Sequence, residues 1–198
     1  AEKVVGEARR ASAPKLAKAV QQHLRTLAMA HAIVDVSVGD DPGDDVAFLL
    51  AANPGSPPLP LTKVASGGEL ARTMLALRLV LTEGPATLVF DEVDAGIGGE
   101  AAVAVAGALA QLGQRHQVLV VTHLAQVAAA AQRQIKVSKT VKSKQTFAEA
   151  YELGEQERVG EIARMLSGGM AEESALNYAS ELLKASNERS NGQGRSRR

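Results

Sequence analysis

ATLVFDEVDAGIGGEA, running from Ala86 to Ala101, is the stretch that decides the fold class. Thr87 to Phe90 is a short apolar run of the kind that makes a buried strand. Two adjacent carboxylates, Asp91 and Glu92, close it, and a turn containing Gly96, Gly98 and Gly99 opens an alanine-rich helix. Like charges side by side repel, so something cationic belongs next to them. The pattern then repeats. QVLVVTH, residues 117–123, is a second buried strand ending in Thr122 and His123, and LAQVAAAA follows as a short helix. Strands alternating with helices imply parallel βαβ units and an α/β core. Working groups in such sheets collect at the carboxyl ends of the strands, which brings the acidic pair and His123 to one edge.

Outward from this unit, PKLAKAVQQHLRTLAMA is helical, with Leu16, Val20, Leu24 and Leu27 on one face. Ser12 and Pro14 suit a helix start, or a restart after a kink. Val4, Val5, Ala8 and Ala11 extend a similar stripe. Two readings stand for residues 1–31: an ordinary amphipathic helix, or the foot of a coiled-coil arm. AIVDVSVG and DDVAFLLAA read as strands, and NPGSPPLPLTKVASGG as a Pro/Gly-rich loop. A helix from Glu69 to about Leu81 buries Leu70, Met74, Leu77 and Leu81. QIKVSKTV and TFAEAYEL pair as strands, and ERVGEIARMLSGG and AEESALNYASELLKA are helices. The SGG of Ser167 to Gly169 stops a helix. Residues 187–198 are polar and Gly/Ser/Arg-rich, the composition of a disordered tail.

Composition narrows the classes. The chain has 198 residues with 22 basic and 22 acidic side chains, so no global positive field announces nucleic acid. Aromatics are 3 % and Trp is absent, which argues against a base-stacking platform. The absence of Cys excludes disulfides and cysteine-bound zinc and fits a reducing cytosol. The most apolar run, AAVAVAGALA, is far short of the ~20 residues of a membrane span. A first residue other than Met suggests a piece of a longer protein.

Asp91 after LVF has the Walker B form, in which an Asp helps hold Mg²⁺ on nucleotide phosphates. One carboxylate suffices, because Mg²⁺ keeps several waters. Glu92 is then placed to act as general base; the alternative is a strand end with a solvated acidic turn. Ser66 and Glu69 in ASGGEL have capping-box spacing. A cap does not call for Gly67 and Gly68, which weaken a first turn but let a phosphate reach the exposed amides. His123 is placed to donate to a phosphate oxygen, although a lone His is more often structural. The glycine-rich turn leaves room for another backbone. No G-x-x-x-x-G-K-[ST] occurs, so the chain lacks a loop to cradle β- and γ-phosphates.

Together, ASGGELARTMLALRLVL, TLVFDEVDAGIGGEAA and VLVVTHLAQVAAAA resemble the C-terminal half of the RecN family of bacterial DNA-repair proteins, SMC relatives within the ABC ATPase class. DEVD in place of DEPT, and SGGEL in place of SGGQ, point away from transporters. Gly98 stands where many ABC and SMC proteins have Asp, which departs from transporter-style hydrogen bonding at that turn. The resemblance implies the C-terminal lobe of an ATPase head over residues 32–186, with a mostly parallel sheet flanked by helices, and an N-terminal helix from a coiled-coil arm. It implies that Ser66, Gly67, Gly68 and Glu69 touch ATP held by an opposite head. It makes Asp91 the Mg²⁺ ligand, Glu92 the catalytic base, Ala95, Gly96, Ile97 and Gly98 the D-loop, and His123 the switch histidine. ATP and Mg²⁺ are the implied cofactors. The implied partners are a Walker A half, a second head in a homodimer, and DNA, without a membrane, in a cytoplasmic, nucleoid-associated protein. Hydrolysis is expected only once the Walker A half is supplied. A non-catalytic docking fragment and a transporter subunit are the rival readings.

Overall fold

The computed structural model describes residues 2–40, 42–64, 66–81, 83–142, 145–169 and 172–195. Contacts divide the chain into two units, Ala1–Thr122 and His123–Arg198.

The first unit begins with α1, Glu2–Thr26. Ala13, Ala17, Val20, Leu24 and Leu27 are buried, a 4-3-4-3 spacing that keeps one seam facing inward. The seam lies on β1 and on α2, introduced below. Val4 and Val5, expected to extend the stripe, are exposed, and Gly6 is buried instead. Pro14 lies inside the helix, not at its start. Its ring is exposed, so the carbonyl it deprives of a donor can be hydrated.

The strands β1 (Ile33–Val38), β2 (Val46–Ala51) and β3 (Leu59–Pro60) form an antiparallel sheet in that order. Val34 and Val36 point inward opposite Leu50 and Phe48. Arg9 Nη1 donates to Gly43 O at 2.9 Å and to Asp44 Oδ1 at 3.0 Å, and Arg10 Nη1 donates to Gly39 O at 3.0 Å. These bonds pin the β1–β2 turn to α1. The short β3 and a 3-10 turn at Leu61–Lys63 occupy the segment read as loop. Pro60 masks them in the sequence, since proline is tolerated only at sheet edges.

α2 spans Gly67–Val80, β4 Thr87–Phe90, α3 Gly99–Gly113 and β5 Gln117–Val120. β4 and β5 pair in parallel, Leu88 opposite Val118 and Phe90 opposite Val120. This is the expected βαβ unit. Among the described residues parallel pairing is confined to it, narrower than a mostly parallel sheet. The other strands are joined by connections too short for a crossover and pair antiparallel. Leu88 and Phe90 turn inward, while Val89, Leu119 and Val121 are exposed.

The buried face of α2 differs from the expected one. Arg72, Thr73, Leu75, Ala76 and Leu77 are buried, whereas Met74 and Leu81 are exposed. Apolar residues nearly surround this helix, so spacing alone does not select a face, and Arg72 and Thr73 disguise the buried one.

The second unit holds α4 (Ala125–Ala130), β6 (Ile135–Lys142), β7 (Gln145–Glu152), α5 (Glu155–Ser167) and α6 (Glu173–Arg195). β6 and β7 pair as expected, and the pairing is antiparallel. The core is Ala125, Ala128, Ala129, Ile162, Ala163 and Ala179. Gly168, at φ 69°, ends α5 in the left-handed conformation, as SGG indicated. α6 continues to Arg195, through most of the segment whose composition suggested a disordered tail. Each residue added to a packed helix gains a backbone bond at little nucleation cost. Residues 196–198 of that tail lie outside the described residues. Among those residues, no helix is long and apolar enough to cross a membrane.

Candidate active site

The parallel pair ends in the acidic dipeptide. Phe90 is the last residue of β4, and Asp91 and Glu92 are both exposed directly after it. Asp91 Oδ1 accepts from the Glu92 amide at 2.9 Å, and Glu92 O accepts from the Ala95 amide at 3.0 Å. These bonds close a turn in which Glu92 takes φ 56°. The left-handed region costs a residue with a Cβ about 1–2 kcal/mol, and such strain concentrates at functional positions. Val93 and Asp94 are buried behind it.

Opposite this turn stands the N-terminus of α2. Ser66 is its N-cap, and Ser66 Oγ accepts from the Glu69 amide at 3.3 Å. Gly67 faces Glu92 closely: a Cβ there would meet Glu92 Oε2, the far end of an exposed side chain, and would push the carboxylate away from the helix start. The Glu92 carboxylate therefore lies at the positive end of α2, whose exposed amides and dipole favour an anion. A Cβ on Gly68 would come 2.9 Å from Ala95 O and 3.1 Å from Arg72 Nη1. Arg72 Nη1 donates to Ala95 O at 2.9 Å. Burial pushes the Arg72 guanidinium pKa down, with Glu69 acting in the opposite direction.

The turn that follows holds Ala95, Gly96, Ile97 and Gly98. Gly96 and Gly99 have φ 72° and 55°, which glycine adopts without strain. Gly98 is extended and has open space where a Cβ would stand, so nothing in the described chain requires glycine there. Behind the turn, Thr122 Oγ1 donates to Asp94 Oδ2, joining the ends of the two parallel strands. His123, next in the chain, is exposed and is the first residue of the second unit.

The structure thus gathers Ser66, Gly67, Gly68, Glu69, Asp91, Glu92 and the Ala95–Gly98 turn in the first unit, and assigns His123 to the second. Sequence reading gave Arg72 and Asp94 no role and placed Thr122 at its strand end without a partner. Asp94 and Thr122 had a signal, as polar residues among apolar neighbours at the ends of two buried strands. The described residues contain no group of three or more His, Cys, Asp or Glu able to hold a metal. An exposed Asp91 fits an ion that arrives with most of its oxygen ligands on a nucleotide and in its water shell. The chain contains no G-x-x-x-x-G-K-[ST] phosphate loop of its own.

No protein-family model matches the chain. It is 44 % identical to the DNA repair protein RecN of Streptomyces coelicolor over 89 % of this chain and 34 % of that one. It is 47 % identical to RecN of Deinococcus radiodurans over 89 % of this chain and 32 % of that one. RecN of Vibrio cholerae is 41 % identical, with 86 % and 32 % covered. The chain therefore spans about a third of the length of these relatives. Among solved structures, the SMC head domain of Pyrococcus yayanosii with its coiled coil and joint superposes with a TM-score of 0.57 at 20 % identity, covering 74 % of this chain and 28 % of that one. An SMC ATPase studied for ATP-driven dimerisation gives a TM-score of 0.51 at 17 % identity, with 79 % and 92 % covered. These structures establish the SMC-head fold.

Proposed function

Because the chain belongs to the RecN family, as the counterpart of its C-terminal part, we propose that it is one lobe of an ATP-hydrolysing head. This lobe carries the acidic and signature residues, and another segment carries Walker A. The observation that carries the reading is the turn at the end of β4, where Glu92 is held in a strained conformation against the glycine-opened N-terminus of α2.

In this reading Asp91 holds the Mg²⁺ that accompanies ATP, and the ion neutralises phosphate charge when bound. Glu92 orients water and takes its proton. His123 donates to a phosphate oxygen. Ser66, Gly67, Gly68 and Glu69 receive ATP held by a second head through the cap hydroxyl and free amides of α2. Residues Ala95 to Gly98 approach that second head, which accounts for a glycine at 98 with open space around it. Two heads sharing two ATP molecules make an isologous dimer. The exposed Val89, Leu119 and Val121 support a Walker A half that covers the outer face of β4 and β5. Residues 1–31 act as the foot of a coiled-coil arm, and 32–186 as the lobe. ATP closes the heads and hydrolysis opens them, altering the protein's hold on DNA in double-strand-break repair. The setting is cytoplasmic and nucleoid-associated.

The experiment compares the chain alone with the chain joined to the Walker A portion of a RecN relative. Alone it should bind Mg-ATP weakly by isothermal titration and show no turnover; completed, it should hydrolyse ATP and dimerise in an ATP-dependent way. Micromolar binding by the lone chain would contradict the divided site. Completed heads that dimerise without turnover would leave a docking role in its place.

A further inference from the structure

A guanidinium buried with one hydrogen-bond partner among the described residues needs a reason. Arg72 is 6 % exposed. Its one described hydrogen bond runs from Nη1 to Ala95 O, 23 residues away, and its Nε is buried without a partner. Buried polar groups are normally satisfied, and an apolar residue would serve the interior of α2 better if packing were the whole purpose. The carbonyl it grips belongs to the first residue of the glycine-rich turn. On the other side of the contact is Gly68, where a Cβ would press on Ala95 O and Ala95 Cβ and come within 3.1 Å of Arg72 Nη1. Gly68, Arg72 and Ala95 therefore form one junction between the start of α2 and the turn behind Glu92.

We propose that Arg72 is a positioning residue: it ties the Ala95–Gly98 turn to the N-terminus of α2, so that an anion seated on α2 and the carboxylate of Glu92 are held in one register. This rests on the ATPase reading above. The turn itself has little else to hold it. Its described backbone bonds are Ala95 N to Glu92 O, Ile97 N to Asp94 O at 3.4 Å and a long one from Ala102 N to Gly98 O at 3.5 Å, and Gly96, Gly98 and Gly99 leave it conformationally free. One buried charge-assisted bond at its first residue therefore sets where the turn sits. Because the bond uses a single nitrogen and a backbone carbonyl, the ammonium of lysine can replace it in part, whereas methionine fills the space and removes the donor.

The test has two arms. Hydrogen exchange on the 198-residue chain compares wild type, Arg72→Met, Arg72→Lys and Gly68→Ala. Arg72→Met and Gly68→Ala should speed exchange at the hydrogen-bonded amides of Ala95 and Ile97 about tenfold and leave Leu88 to Phe90 and Val118 to Val120 protected, while Arg72→Lys lies between. In the complex with a Walker A half, Arg72→Met should lower kcat about 10–10²-fold and leave the KM for ATP within about twofold, with partial recovery in Arg72→Lys. Unchanged exchange in the turn, or equal kcat losses in the Met and Lys variants, overturns the proposal. A wild-type complex without turnover overturns the ATPase reading instead, and the exchange arm still decides whether Arg72 holds the turn. Gly68→Ala disturbs the same junction from its other side, so the question stays decidable if Arg72→Met fails to fold.

Discussion

Two arginines, one in each unit, meet burial in opposite ways. Arg158, on α5, donates from Nη2 to Ala131 O at 2.7 Å and to Ala128 O at 3.4 Å, and from Nη1 to Gln132 O at 3.3 Å. It closes the carboxyl end of α4, where free carbonyls and the helix dipole call for a cation. Arg72 grips one carbonyl of a turn that no helix end supplies. Burial lowers the pKa of both guanidinium groups, and both leave Nε unpaired. An orphaned Nε is thus not by itself a functional mark; what the other nitrogens hold decides. The contrast extends to the surroundings. In the second unit the buried Glu161 is clasped by Lys136 Nζ and Arg164 Nη2, each at 2.6 Å. In the first, Glu92 sits in a left-handed backbone, and Val89, Leu119 and Val121 lie bare beside it. Local rules are broken around the acidic edge and kept around α5, the distribution expected when one region serves chemistry and the other stability.

The contrast breaks most visibly at Glu92. In the completed head, Glu92→Gln should lower single-turnover hydrolysis about 10²–10⁴-fold with ATP binding retained, so the variant accumulates as a closed dimer. Asp91→Asn should weaken Mg²⁺-dependent binding itself. Similar behaviour of the two variants would remove the division of labour between the adjacent carboxylates.

A stability probe of the second unit comes next in size. Glu161→Gln should cost about 1–2 kcal/mol in urea unfolding at neutral pH, less than a fully buried pair because Lys136 and Arg164 can turn toward water. It should leave hydrolysis unchanged. The hydrogen bond from Arg164 is the largest influence on Glu161, and together with Lys136 it holds the carboxyl below its ordinary pKa against the opposing effect of burial. The folded value lies under the unfolded one, so the stabilisation is complete above the ordinary carboxylate range. It is lost as pH falls through the lowered value. Wild type should therefore lose more stability than Glu161→Gln across that acidic window. Parallel curves would mean that the clasp carries no weight.

The smallest effect runs the other way. Glu92→Gly removes a Cβ from a backbone at φ 56° and should raise the stability of the lobe by about 0.5–1 kcal/mol while abolishing hydrolysis. Glu92→Ala, which keeps the strain, should gain nothing. If Gly and Ala unfold alike, the left-handed turn stores no strain and the contrast between the units weakens.

The local arrangement of the candidate site was legible in the sequence. Short apolar strands interrupted by an Ala-rich helix place Asp91 and Glu92 at a strand end, because strand length and helix period are local properties. Ser66 announces a cap by its spacing to Glu69, and Ser66 Oγ does accept from that amide. Illegible were the inward face of α2, which buries the charged Arg72, and the partners of Arg72 and Thr122. The length of α6, which runs to Arg195, was likewise not legible: composition reports the average polarity of a segment, not the backbone hydrogen bonds it forms.

By itself the sequence determined the order of elements, the βαβ unit, the cap on α2 and the residue types at the acidic edge, since each depends on neighbours a few positions apart. The tertiary structure alone decided that Glu92 lies against Gly67, that Arg72 reaches Ala95 across 23 positions and that Thr122 reaches Asp94 across 28. Those contacts form only after distant strands and helices have closed on one another, and no local pattern of residues encodes which of their atoms will then meet.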